Sequence, residues 1–173
     1  MVVLLESSRR VLLVKRKFAP FKGCLAVPGG FLRPLLEDLP TCAARELAEE
    51  TGIRLGAEQM QLVSVRSNPN RDRRGHVIDS GYLAVILPAQ EKAVLSALCA
   101  GDDAEEAAFI PIDLALKLPL AADHGSLLAD AIKVFQSRKA QELPSIKTLL
   151  GSITRRLAAA NRARAMFARA EKS

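Results

Sequence analysis

Residues 38–53 constrain this chain more than any other stretch. Asp38 is a helix-capping residue, Pro40 suits a first turn, and Gly52 is placed to end the helix, so residues 38–51 are predicted helical. At 100° per residue, Glu46 and Glu50 stand one turn apart, with Glu49 close to the same face. The opposite face carries Ala44, Leu47, Ala48 and Thr51, small and apolar enough to lie on a sheet. Three crowded carboxylates repel one another, and a cation relieves that repulsion. Oxygen-only ligands suit Mg²⁺ or Mn²⁺ rather than zinc. Arg45 sits beside the acidic face, where a guanidinium can hold a carboxylate in place. Taken alone, an acidic cluster also reads as a solvated helix face, since charged side chains are mostly exposed.

Charge invites a different reading and then narrows it. The chain has 173 residues, 25 Lys+Arg against 19 Asp+Glu, and a net charge of +6. Residues 1–137 hold 16 basic and 17 acidic residues, net −1, whereas residues 138–173 hold 9 and 2, net +7. The basicity therefore belongs to a C-terminal extension, and the body is nearly neutral. Hydrophobic residues at 49% and charged residues at 25% are those of a globular protein. No apolar run approaches the roughly 20 residues of a membrane span, and the start does not read as a signal peptide, so no membrane partner is expected. Three cysteines without a CxxC spacing argue against a disulfide framework or a zinc site and for a cytoplasmic location.

Strands are predicted at 2–5, 11–17, 61–66, 76–88 and 108–112, with a short extended segment at 25–30. Besides the acidic helix, helices are predicted at 91–100 and 125–136, the latter starting near Asp123. Leu143-Pro144 reads as a break, followed by a helical stretch at 145–171 rich in Ala, Leu and Arg. Ile146, Leu149, Leu150, Ile153 and Leu157 recur there at helical spacing. The domain boundary falls between a body at 1–137 and a basic, helical extension at 138–173.

Glu37, seven residues, and then Arg45-Glu46-Leu47-Ala48-Glu49-Glu50-Thr51-Gly52-Ile53 closely resemble the signature of the Nudix hydrolases. That signature reads Gly, five residues, Glu, seven residues, Arg-Glu-apolar-x-Glu-Glu-x-Gly-apolar. The chain departs from it upstream, where six residues separate Gly30 from Glu37 and Pro34-Leu35-Leu36 replaces the usual Gly. Either the extra residue bulges outward and Glu37 keeps its place, or Glu37 is displaced. The lead-in at Leu13-Val-Lys-Arg-Lys17, Pro20-Phe-Lys-Gly23 and Ala26-Val-Pro-Gly-Gly-Phe31 resembles ADP-ribose pyrophosphatase-like members. So do the loop at 68–77, with its Arg-Asp-x-Arg-Gly-His, the acidic loop at 102–106, and Leu120-Ala-Ala-Asp123-His124. The resemblance covers about residues 1–136.

This resemblance implies an α+β fold, an α/β/α sandwich on a mixed sheet, carrying a C-terminal helical extension. It implies Mg²⁺-dependent hydrolysis, with Mn²⁺ an alternative, of a nucleoside diphosphate linked to another group, ADP-ribose foremost. By motif match Glu46 and Glu50 are metal ligands, Glu49 is a third ligand or the base, and the Gly30 carbonyl is a further ligand. Arg45 orients a glutamate. Glu106 is a candidate base from a separate loop, with Glu105, Asp103 and Asp102 as competitors. Arg16, Arg71 and Arg74 are candidates for the substrate's diphosphate, Asp72 competing for one of the last two. Relatives imply a homodimer. Some are transcriptional regulators, so the alternative is a ligand sensor whose basic tail binds DNA.

Overall fold

The computed structural model describes residues 1–170 except 73 and 102, and for 142–149, 152–153 and 161–170 it describes the backbone course alone. In chain order the elements are β1 (Val2–Leu5), β2 (Arg10–Arg16), β3 (Leu25–Ala26), α1 (Leu39–Thr51), β4 (Gln61–Arg66), β5 (Asp79–Ile86), α2 (Pro88–Ala97), β6 (Ala104–Pro111), α3 (Ile112–Ala115) and α4 (His124–Ala170). Contacts divide the chain into two compact units, Met1–Ile132 and Lys133–Ser173.

The sheet is mixed. Its order is β3-β2-β1-β5-β4, with β6 along the remaining side of β2. β1 runs parallel to β5, and the other pairings are antiparallel. One edge of β2 is shared, β1 pairing at Arg10 and Val11 and β3 at Val14 and Lys15. This sharing brings the Gly29-Gly30 loop after β3 next to the middle of the sheet.

Every residue of β1 and the run Val11–Val14 is buried, as expected of strands covered on both faces. Alternation divides the side chains between those faces. Val3, Leu5, Leu12, Tyr82, Ala84 and Ile86 pack with Leu47 of α1 and with Ile53. Leu127, at the start of α4, lies over β5 so closely that a Cβ on Gly81 would stand 2.3 Å from its Cδ1. The first unit is therefore α1, sheet and the start of α4 in three layers, the α/β/α arrangement implied above.

α1 forms as its sequence dictates. The Asp38 carboxylate accepts the Thr41 N–H at 3.0 Å. Gly52 closes the helix at φ 71°, where its N–H donates to the Ala48 carbonyl at 3.0 Å. Elsewhere the boundaries move. α2 starts at Pro88 rather than at 91, because proline at the first helical position forfeits no internal bond. β6 starts at Ala104 rather than 108, and its polar Glu105 and Glu106 are accommodated as exposed strand positions. The backbone stays helical through Leu143-Pro144, where a break was expected. One proline removes one N–H donor, and the helix formers around it sustain the rest. Residues 171–173, including Glu171 of the expected tail helix, lie outside the described residues. Among the described residues no helix is long and apolar enough to cross a membrane.

Candidate active site

α1 presents its acidic face to a cavity of about 820 Å³. The cavity is walled by the Gly29-Gly30 loop, by residues of the loop at 67–78, and by the start of α4. The site is built outward from its most buried carboxylate. Glu50 is 7% exposed and receives the Gly29 N–H on Oε2 at 3.0 Å. Burial pushes its carboxyl up to about 7. The Gly29 amide opposes that shift, and the neighbouring Glu46 charge adds to it.

Glu46 lies under Gly30, where a Cβ would sit 2.3 Å from the Glu46 carboxyl carbon. Any larger residue at 30 must displace that carboxylate. Position 30 is thus a close approach between the loop backbone and an acidic side chain.

Arg45 ties the rest together. Its Nε and Nη2 donate to the two oxygens of Glu37 at 2.8 and 2.7 Å. Its Nη1 reaches Glu46 at 2.6 Å and Glu49 at 3.0 Å, and Nη2 also donates to the Phe31 carbonyl at 3.0 Å. The arginine holds the Glu37 carboxyl down at about 2, and its own pKa is raised in return. Glu37 therefore reaches the cluster despite the longer loop. The extra length is taken up at Leu35, whose φ of 63° turns its wholly exposed side chain outward. Arg33, in the same loop, donates to Glu49 at 3.1 Å.

Beneath the loop, Cys42 is buried and its thiol is pushed up to about 11, mainly by burial. His124 closes the floor, its Nδ1 accepting the Val27 N–H at 3.2 Å. Burial drives that imidazole down to about 4.

The candidate residues are thus placed unequally. Gly30, Arg45, Glu46, Glu49 and Glu50 converge at one end of the cavity, and Glu37 stands behind Arg45. Arg16 lines the wall, with its Nε on the Pro20 carbonyl at 2.9 Å. Arg71 and Arg74 also line it, but each is already engaged. Arg71 is bound to Asp123 at 2.7 Å and to Asp79 at 3.1 Å. Asp72 holds Arg74 at 2.6 Å, and that guanidinium stacks 4.8 Å from the Phe31 ring centre.

Glu106 is not brought to the acidic helix. It faces Lys15 across the β2–β6 ladder at 3.0 Å, outside the cavity lining, as strand register dictates. Glu105 shares the same lysine at 3.2 Å. From that loop Asp103 lines the cavity, and Asp102 lies outside the described residues.

Three contributions were invisible in the sequence. Val27 and His124 are far apart in the chain, so their bond has no local signal. Gly101 packs under the last turn of α1, where a Cβ would stand 1.7 Å from the Glu49 carbonyl oxygen. The Phe31–Arg74 stack needs two loops to meet.

Among the described residues no three His, Cys, Asp or Glu side chains already converge as a metal cage. Arg45 occupies the space between Glu37, Glu46 and Glu49. The donor set still fits a hard divalent cation. It is all oxygen, and it contains a buried carboxylate whose ionisation is opposed by burial and by a neighbouring negative charge.

A three-layer α/β/α sandwich with a glutamate-rich helix under a Gly-Gly loop defines the class of fold. The profile of the NUDIX domain matches residues 1–131. The chain belongs to the Nudix family and is a Nudix hydrolase. It is 39% identical over 131 residues to the ADP-ribose pyrophosphatase of Methanocaldococcus jannaschii, covering 75% of this chain and 70% of that one. It is 34% identical over 129 residues to the ADPR-responsive transcriptional repressor NtrR of Acinetobacter baylyi, covering 73% of this chain but only 48% of the repressor. Among solved structures, the NUDIX domain of Shewanella oneidensis NrtR in complex with ADP-ribose superposes with a TM-score of 0.67. There the identity is 26%, over 78% of this chain and 84% of that one.

Proposed function

We propose that this protein is a Mg²⁺-dependent pyrophosphohydrolase, with Mn²⁺ able to substitute, that cleaves ADP-ribose to AMP and ribose 5-phosphate. The observation that carries this reading is the buried Glu50 carboxylate beside Glu46 beneath Gly29-Gly30, opening on a cavity walled by arginines. The likeness to the M. jannaschii pyrophosphatase supports the substrate.

Glu46, Glu50 and the Gly30 carbonyl would hold the cation, with Glu49 as a third side-chain ligand or as the base. A bound divalent cation supplies charge neutralisation and polarisation at a phosphoryl oxygen. Arg45 and Glu37 keep the carboxylates oriented and hold the loop against α1. Arg16 lines the cavity with its Nε on the Pro20 carbonyl, and its guanidinium is assigned to the diphosphate. Arg71 and Arg74 shape the wall, each reaching substrate only by loosening an existing pair. Of the carboxylates proposed for the base, Glu49 and Asp103 line the cavity, whereas Glu106 and Glu105 pair with Lys15 beside the β2–β6 ladder. A homodimer is part of this proposal, and three free cysteines suit a reducing compartment such as the cytoplasm.

Product analysis with a panel of nucleoside diphosphate derivatives tests this. AMP and ribose 5-phosphate should appear from ADP-ribose only with divalent metal. Glu50→Gln should lower kcat at least about 100-fold, the scale of losing a group that stabilises the transition state. No turnover of any diphosphate, or turnover indifferent to Glu50→Gln, would overturn the reading. The repressor relative and the +7 tail favour one second reading, a ligand-sensing DNA binder. A salt-dependent gel shift lost on deleting residues 138–173 would select it.

A further inference from the structure

Both carboxylate oxygens of Glu49 are engaged by arginine. Oε2 receives Arg45 Nη1 at 3.0 Å, and Oε1 receives Arg33 Nη2 at 3.1 Å. The two guanidinium groups are held differently. Arg45 also spans Glu37, Glu46 and the Phe31 carbonyl, and its side chain is 16% exposed. Arg33 stands at the cavity wall with its side chain 54% exposed. An ion pair that open to water contributes little, so Arg33 is the guanidinium that yields when another cation approaches Glu49.

Arg33 owes its place to the loop that departs from the Nudix spacing. Residues 33–36 form a turn in which the Leu36 N–H donates to the Arg33 carbonyl at 3.2 Å. Pro34 sits at the second position, whose φ proline presets, and Leu35 takes a positive φ at the third. The Arg33 N–H donates to Glu37 Oε1 at 2.9 Å, and Glu37 is gripped in turn by Arg45. The Arg33 backbone is thus pinned on one glutamate while its side chain lies on another. The longer loop thereby sets a positive charge on a carboxylate assigned to the cation.

We propose that Arg33 is a positioning residue that occupies Glu49 in the metal-free protein and competes there with the divalent cation. This rests on the proposed reading of Glu46, Glu49 and Glu50 as the cation site, and it takes Glu49 as the third side-chain ligand rather than the base. A guanidinium and a divalent cation at one carboxylate repel each other, so removing the guanidinium strengthens metal binding.

Mn²⁺ binding to the full chain without nucleotide, read from the free-ion EPR signal, tests it. Arg33→Ala should tighten binding about 2- to 5-fold, the scale of an exposed ion pair. Arg33→Lys should return it toward the wild-type value, because the ammonium keeps the charge. In a Glu49→Gln background, Arg33→Ala should make no difference, since the two residues act as a pair. A gain that persists there would show that Arg33 acts through its charge alone, and would overturn the inference. Equal affinity in the wild type and Arg33→Ala, with binding still weakened by Glu50→Gln, would overturn it and leave the cation site standing. Binding indifferent to Glu50→Gln would remove the site and this inference together.

Discussion

Leu35 has no evident internal reward for its conformation. Its φ of 63° is the left-handed region, and its side chain is fully exposed. Such a backbone costs a non-glycine residue roughly 1–2 kcal/mol, and replacing it with glycine returns about 0.5–1 kcal/mol through the unfolded chain. Leu35→Gly should therefore leave the protein equally stable or up to ~1 kcal/mol more stable in urea unfolding. A clear loss would mean that the leucine side chain packs on something. Glu50 and His124 make opposite contributions to stability. The Glu50 carboxyl is raised from 4.5 to about 7 on folding, so its stabilisation is present below 4.5 and fades as pH rises through 7. His124 is lowered from 6.5 to about 4, so its contribution is present above 6.5 and is lost as pH falls through 4. Protonating Nδ1 would also set two donors facing each other at Val27. In metal-free buffer, Glu50→Gln should gain on the wild type as pH rises from 4.5 to 7, by at most about 3 kcal/mol. His124→Asn should gain as pH falls from 6.5 to 4, by less, because the ring is only half-buried. Urea midpoints that shift in parallel for all three proteins would refute both assignments.

At the scale of the element, α1 is a unit whose two ends are secured differently. Its start is local: Asp38 caps it, and the sequence places that boundary within a residue. Its last turn is also held from outside. The Cys99 N–H donates to the Thr51 carbonyl at 3.0 Å and the Gly101 N–H to the Glu50 carbonyl at 2.9 Å. These bonds satisfy carbonyls that a helix end leaves orphaned. Nothing in the local sequence announces that clamp, because Gly101 stands fifty residues beyond the turn it supports. The same division runs through the site. Glu46, Glu49, Glu50 and Arg45 are legible because helical spacing alone puts them together. The engagement of Arg71 is not, since Asp123 comes from another element, and neither is the seat of Glu106, which depends on the register of β6 against Lys15. The loop after Gly30 lies between these cases. Its length is plain in the sequence, but only the outward turn at Leu35 decides that Glu37 meets Arg45. Gly101→Ala should lower stability by roughly 1–3 kcal/mol, as overpacking does, and should also reduce ADP-ribose turnover by shifting Glu49 and Glu50. Denaturation and steady-state kinetics on one preparation would decide. A destabilised variant with unchanged kcat would separate the clamp from the carboxylates proposed for catalysis.

At the scale of the molecule, the question is whether the excess positive charge serves catalysis. All the residues that line the cavity belong to the first unit, the last being Leu127. The tail, net +7, supplies none of the lining among the described residues, and a charge outside the lining acts on a bound diphosphate through its field. That field is screened over about 8 Å at physiological ionic strength. Arg16 differs, since it lines the cavity itself, where the diphosphate contact proposed for it is short-ranged. Two substitutions separate these terms. Arg155→Gln/Arg156→Gln should leave kcat/KM for ADP-ribose within about twofold at 0.15 M salt, because a screened charge changes encounter more than chemistry. Arg16→Ala should raise KM or lower kcat at least tenfold at the same salt, on the scale of about 1.5–3 kcal/mol for a hydrogen bond to a charged group. Kinetics repeated between 0.05 and 0.5 M salt (conditions set by the roughly 4–14 Å range of screening lengths) should find the two effects diverging. The tail variant would converge on the wild type as salt rises, and the Arg16 defect would persist. A tail variant as impaired as Arg16→Ala in high salt would place the basic extension in the catalytic cycle and remove the division of labour on which this reading of the charge rests.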